Sequence, residues 1–213
     1  MQLQNKNIIP LFSTPVYHCN VKDYVNDVVN FDNIDWSEYY VSNKQQNTNV
    51  SINQNVLELP KFATCKKIID FAMKEFFYKE LKICKRIKPK LVSSWMLIGH
   101  PNSTTASHLH TNALFSGVFY IKSEKNAGNI KLLSNPLIPT FTPYVIRLET
   151  EEYNLLNSLS WELELKTNDI IIFPSHLHHE VSENLSGQIR CGIAFNYMVT
   201  GQISNINTRV LKL

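Results

Sequence analysis

The chain has 213 residues and carries 21 basic against 18 acidic side chains, a net formal charge of +3. The length suffices for one well-formed core, and the charge balance is too weak to argue for a nucleic-acid partner. The four cysteines, Cys19, Cys65, Cys84 and Cys191, are widely scattered with no C-x-x-C pair, so neither a zinc knuckle nor a redox dithiol is indicated, and reduced thiols in a cytosol fit best.

The opening MQLQNKNIIPLF has no signal-peptide core, and no apolar run approaches the roughly 18 residues needed to span a bilayer. A cytoplasmic protein without membrane association is therefore expected. Ile8 to Val21 is rich in β-branched and aromatic residues, broken by Pro10 and Pro15. It predicts an opening strand with an edge position at the prolines. Val21 to Asn33 suits a short helix. The Asn/Gln-rich stretch Tyr40 to Gln54 is expected to be a surface loop. Leu59-Pro60 opens the clearest helix: Phe62, Cys65, Ile68, Ile69, Ala72, Met73, Phe76 and Phe77 keep the helical period to about Leu81, leaving one apolar face to pack on a sheet. The basic stretch Lys82 to Lys90 leads into an apolar strand and is expected to be a solvated face.

From Lys90 the pattern changes to short strands separated by turn signals. Strands are expected at Val92–Ile98, Ala106–His110, Leu114–Ile121, Asn129–Leu133, Trp161–Leu165, Ile170–Phe173 and Arg190–Tyr197. Such a succession argues for an antiparallel sandwich or barrel. Pro136 to Ser160 has no clean period although it contains Phe141, Tyr144 and Tyr153, as expected of a covering lid that borders the site.

Five of the seven histidines fall in two clusters, His108-Leu109-His110 and His176-Leu177-His178-His179. On a strand, residues i and i+2 share a face, which groups His108 with His110. His179 lies just past the buried run ending at Phe173. His176 and His178 are taken as loop residues, and His18 and His100 as ordinary polar ones. Arg190 opens an apolar strand, where an unpaired charge is costly. Its partner is either one of the 18 acidic side chains or a carboxylate ligand, which the planar guanidinium suits.

The stretches LFSTPVY, SSW at Ser93 to Trp95, HLHTNALFSGVFYI, AGNIKLLSNP, NDIIIFPSHLHHEV and RCGIAFN run in order across nearly the whole chain. With them the chain resembles the 2-oxoglutarate-dependent Fe(II) oxygenases, and within these an uncharacterised prolyl-hydroxylase-like family that also occurs in phages. The resemblance implies a mainly β fold: a double-stranded β-helix (jelly-roll) core with N-terminal buttressing helices. It implies one oxygenase domain over 1–213, with an N-terminal strand and helices at 1–89, the core at 90–200 and a tail at 201–213. It also implies Fe(II), 2-oxoglutarate and O₂ as cofactor and cosubstrates. Phe173-Pro174-Ser175 followed by His179-Glu180-Val181 selects His179 as the distal metal ligand, beside His108 and His110. Tyr120 and Arg190 match the residues that hold the far carboxylate of 2-oxoglutarate. One departure stands out: His110 occupies the place of the usual acidic ligand, and no Asp or Glu occurs between Ala106 and Lys122.

The expected function is thus a dioxygenase, of hydroxylase type, acting on a peptidyl side chain or a small metabolite, in the host cytoplasm if phage-encoded. A homodimer stays open. Two alternatives stand beside it: a non-catalytic metal-binding β-barrel that acts by interaction, and a cupin-type dioxygenase with three histidines and no cosubstrate.

Overall fold

A computed structural model describes residues 8–21, 39–43, 47–134, 149–203 and 211–212. Strand β1 is Tyr17–Asn20, β2 Tyr39–Asn43 and β3 Thr48–Ser51. After helical turns at Val56–Glu58 and Pro60–Phe62 comes helix α1, Ala63–Lys74, which continues as a wider π-type stretch to Glu80. Nine strands follow: β4 Ile87–Gly99, β5 Thr105–His108, β6 Phe115–Lys122, β7 Ile130–Leu133, β8 Ser160–Leu163, β9 Asp169–Pro174, β10 His178–Val181, β11 Arg190–Ile203 and β12 Leu211–Lys212.

The strands form two antiparallel sheets. The major sheet runs β1-β9-β6-β11-β4-β3-β2, with β12 joined to β11; the minor sheet runs β5-β10-β7-β8. This is the predicted double-stranded β-helix. The major sheet has a core on each face. On one side α1 lays Cys65, Ile69, Ala72 and Met73 against Met96, Ile98, Ile170, Ile172, Ile193 and Phe195. On the other, Tyr120, Ile171 and Phe173 meet Ile130 and Leu132 of the minor sheet. The run Ile170–Phe173 is buried on both faces because a central strand between two apolar layers has no solvent side.

Several sequence expectations are corrected. Tyr40 to Gln54 is not a loop throughout but contains β2 and β3. Polar residues are tolerated there because their hydrogen bonds are met: the buried Ser51 Oγ donates to Asn53 O and accepts from Met96 N–H at 3.0 Å. Asn47 supplies the left-handed turn residue between the two strands, with φ of 49°. The opening strand is shorter than expected, beginning only at Tyr17, with Ile8, Ile9, Leu11 and Phe12 exposed. The expected helix from Pro60 is right, although its first turn is 3₁₀ and its last widens. β11 continues past Tyr197 to Ile203 and pairs with β12, so part of the expected tail is sheet. The helix expected after Val21, and the lid expected at Pro136 to Ser160 as far as residue 148 (including Phe141 and Tyr144), lie outside the described residues. The rest of the lid stretch, 149–159, holds exposed Tyr153, Leu155 and Leu159. Among the described residues no helix is long and apolar enough to cross a membrane.

Candidate metal centre and anion site

His108 and His179 meet because of strand register. β5 pairs with β10 in antiparallel fashion, and His108 lies directly opposite His179. Directly opposed residues point to one face, and the two rings are 4.2 Å apart, centroid to centroid. His179 is therefore inside a strand, not in a loop past one, and its buried ring also packs on Phe173. His110 arrives differently from expectation. β5 ends at His108, so His110 is not its strand-mate but sits in the following turn, where its backbone N–H donates to Ser175 O at 3.0 Å. That hydrogen bond ties the His110 turn to the β9–β10 connection. The three histidines then offer ligand atoms within 4.8 Å of one another.

Two of the rings are fixed in orientation by their own backbone. His108 Nδ1–H donates to Ala106 O at 2.9 Å, and His179 Nδ1–H donates to Leu177 O at 3.0 Å. A carbonyl only accepts, so each Nδ1 carries the proton and each Nε2 lone pair is left free, as a metal ligand requires. Burial pulls the His179 pKa down to about 3, against the opposing pull of Leu177 O, with the neighbouring imidazoles adding to the fall. Burial, then His108, lowers His110 to about 4. Both rings are neutral at physiological pH. Three imidazoles suit a borderline divalent ion such as Fe(II) or Zn(II). Among the described residues no carboxylate joins them.

The same cavity, of about 360 Å³ between the two sheets, is lined by Tyr120 and Arg190 as well as by the three histidines. Arg190 is 7% exposed, and its Nη1 donates to Ala127 O. Two glycines leave room for the guanidinium. A Cβ on Gly99 would come within 3.0 Å of Nη2, and one on Gly128 within 2.5 Å of Nη1. Tyr120, buried, is close enough to offset part of the burial that lowers the Arg190 pKa, and burial raises its own. Among the described residues no carboxylate pairs with Arg190. Ser103 Oγ is also buried without a hydrogen-bond partner, and it would lie 2.6 Å from the same Gly99 Cβ. A buried cation and a free hydroxyl at one point fit a carboxylate ligand.

Trp95 and the serine cluster were not singled out as site residues from sequence. The Trp95 ring lies 5.8 Å from that of His110. Beneath the His110 turn, Ser116 Oγ bonds Ser175 Oγ at 2.8 Å and donates to Asn196 Oδ1, while Asn196 Nδ2 donates to Ser93 Oγ. Only the fold joins these four residues from β4, β6, β11 and the β9–β10 turn. His176 is exposed, whereas His178 is the first residue of β10 rather than a loop residue.

Residues 93–196 match a family described as "Putative 2OG-Fe(II) oxygenase". No functionally curated protein matches the chain in sequence. Among solved structures, similarity extends to an oxidoreductase of the 2OG-Fe(II) oxygenase family from Burkholderia pseudomallei. That pair has 14% identity and a TM-score of 0.50, over 73% of this chain and 70% of the other. HygX from Streptomyces hygroscopicus, solved with nickel and 2-oxoglutarate, has 10% identity and a TM-score of 0.53, over 87% and 83%. A prolyl hydroxylase from Trichoplax adhaerens, solved with a hypoxia-inducible-factor peptide, has 10% identity and a TM-score of 0.56, over 86% and 83%.

Proposed function

We propose that the chain, whose residues 93–196 match a family described as 2OG-Fe(II) oxygenases, is an Fe(II)- and 2-oxoglutarate-dependent dioxygenase of hydroxylase type. The observation that carries this reading is a cluster of three imidazoles sharing one cavity with a buried arginine that has no carboxylate partner among the described residues. His108, His110 and His179 would hold the metal, and Tyr120 and Arg190 the far carboxylate of 2-oxoglutarate. The bound iron would supply the oxygen chemistry, coupling decarboxylation of 2-oxoglutarate to oxidation of the substrate.

The protein's own contribution is geometric. The Nδ1–H bonds of His108 and His179 aim two lone pairs at one point before any metal arrives, so little reorganisation is needed on binding. Arg190 is held between two glycines and Ala127 O, and so presents its remaining N–H donors in a fixed fork. The apolar lining, with Val118, Ile130, Phe173 and Ala194 among its residues, keeps water from competing for either site. The whole protein is proposed to act as one oxygenase domain.

The test is O₂-dependent release of succinate from 2-oxoglutarate by the Fe(II)-loaded protein. Succinate formed only with both Fe(II) and O₂ supports the reading. Tight metal binding with no 2-oxoglutarate binding refutes it in favour of a structural metal-binding barrel, for which three neutral histidines suit Zn(II).

A further inference from the structure

The major sheet does not stop at the cavity. In the β4–β11 register, Gly99 faces Arg190, Leu97 faces Gly192, Trp95 faces Ala194 and Ser93 faces Asn196. The first three pairs line the cavity, and Asn196 of the fourth accepts from Ser116 beneath the His110 turn. A bulge at Val92 then shifts the parity, because Tyr197 pairs with Leu91, and Leu91 packs on the α1 side. The next pairs on the cavity side are therefore Lys90 with Met198 and Lys88 with Thr200. The cavity-side positions of β4 go from buried at Gly99, through half-buried Leu97, Trp95 and Ser93, to exposed Lys90 and Lys88. The strand pair is a ramp that leads from the imidazole cluster out to solvent.

Lys90 and Lys88 stand five and seven residues beyond Trp95, about 15 and 20 Å along the ramp at strand rise. Among the described residues neither has a carboxylate partner. Among the described residues none that lines the cavity is acidic, and Arg190 is the only one with a permanent charge. The group that enters beside Trp95 therefore meets an uncharged surface, while the part of the molecule left outside meets two unpaired cations. The strand edge adds a third element. Among the described residues no strand pairs with β4 on the side away from β11 between Ile87 and Ser93. Such an edge can pair with an extended backbone. Lys88-Pro89-Lys90 guards it against a second copy of itself, as lysine and proline do on open edges, but the same charges admit an acidic strand.

Resting on the oxygenase reading above, we propose that the substrate is an extended peptide with an acidic segment about five residues from the side chain oxidised, Lys88 and Lys90 holding that segment and Trp95 contacting the uncharged reacting side chain.

The probe is a fluorescein-labelled peptide with a run of aspartates about five residues from a central leucine, beside the same peptide with asparagines instead. Binding is read by anisotropy to the Mn(II)- and 2-oxoglutarate-loaded protein at low salt. The acidic peptide should bind about 10-fold more tightly, a preference that fades as salt screens it. Lys88→Glu/Lys90→Glu should abolish or reverse the preference. Lys67→Glu/Lys74→Glu makes the same change in net charge at exposed positions of α1 and should leave the preference intact. The proposal is overturned if wild type shows no preference, or if the two double variants behave alike, since net charge alone would then explain the binding. It is also overturned if an oligothymidylate of equal charge competes as well as the acidic peptide and depends equally on Lys88 and Lys90, because the ramp would then serve a phosphate chain. Titration of wild type with 2-oxoglutarate alone tests the oxygenase reading separately.

Discussion

Replacing Arg190 with alanine separates the anion site from the metal site. The guanidinium is 7% exposed and makes one hydrogen bond, to Ala127 O, so most of its donor capacity is directed elsewhere. If a 2-oxoglutarate carboxylate takes it up, the variant loses one partner of a buried, hydrogen-bonded charge pair, a change that costs about 2–5 kcal/mol. At about 1.4 kcal/mol per tenfold, that is roughly 30- to 4,000-fold in Kd. The free protein should respond in a different way. Arg190→Ala removes a buried cation without an ionic partner, which relieves desolvation, while leaving Ala127 O unsatisfied at a cost of about 1–3 kcal/mol. These effects oppose, so the ligand-free variant should melt near wild type. Wild type should instead gain about 2.7 kcal/mol from 2-oxoglutarate at a hundred times its Kd, and the variant almost nothing at the same concentration. Calorimetric titration of 2-oxoglutarate into the anaerobic Mn(II) protein, with a melting curve for each state, measures both. Equal 2-oxoglutarate affinity in the two proteins, with metal still bound, would refute the assignment of Arg190.

His179→Ala should abolish metal binding while His176→Ala leaves it intact, as measured by metal content after gel filtration; equal retention would remove His179 from the ligand set. Substituting Asp at His110 should keep metal bound, because a carboxylate restores the common two-histidine, one-acid set, whereas His110→Ala should weaken it; a crystal structure with His110 turned away from the metal would refute the role. For the metal-free protein, acid should be destabilising. His179 and His110 titrate at about 3 and about 4 in the folded state against about 6.5 unfolded, so the unfolded chain binds more protons between these values and stability falls as pH drops below 6.5. At pH 5 the loss is on the order of 2 kcal/mol per histidine, visible as a lower urea midpoint than at pH 7; an unchanged midpoint would contradict neutral buried rings. Gly128→Ala should destabilise the fold, since Gly128 has φ of +93° and a Cβ would lie 2.3 Å from Ser182 O and 2.5 Å from Arg190 Nη1; a melting temperature equal to wild type would refute this.

The parts of the fold that were legible are those where pattern and environment agree. Ile170–Phe173 is uniformly apolar and became a fully buried central strand. The helical period from Phe62 to Phe77 became the face of α1 and its extension. β2 and β3 were missed because the stretch that holds them is rich in Asn and Gln, and polarity signals a loop only when hydrogen bonds go to water. At Ser51 they go to β4 and to the following turn instead. At the site, the fold brings His108, His110 and His179 together, although one reason for grouping them was wrong. His108 and His110 were grouped as strand-mates, yet β5 ends at His108. What brings His110 in is a hydrogen bond to Ser175, a residue 65 positions away in sequence. No local period encodes such a contact. The Ser93–Asn196–Ser116–Ser175 chain was invisible for the same reason, since each residue is unremarkable until four segments meet.

With His110 in the place of an acidic ligand, as proposed, the consequences would reach beyond the metal. With three neutral imidazoles, a divalent ion would keep its full charge of two, and Arg190 adds another in the same cavity. Among the described residues nothing acidic lines the cavity to offset either. In a site shielded from water these charges act at low effective dielectric, so they favour a dianionic ligand more strongly than an aspartate-containing site would. They also oppose the approach of any cationic group. The same sign continues outward along β4 to Lys90 and Lys88, whose side chains lie on the cavity-side face. A substrate carrying lysine or arginine near its reacting group would meet repulsion at each stage. One that is neutral at the reacting side chain and acidic further along meets none at the metal and attraction at the ramp. Under the proposed substrate reading, two cations about 15–20 Å from Trp95 would lie beyond the reach of a small molecule held beside the imidazoles but within reach of a peptide.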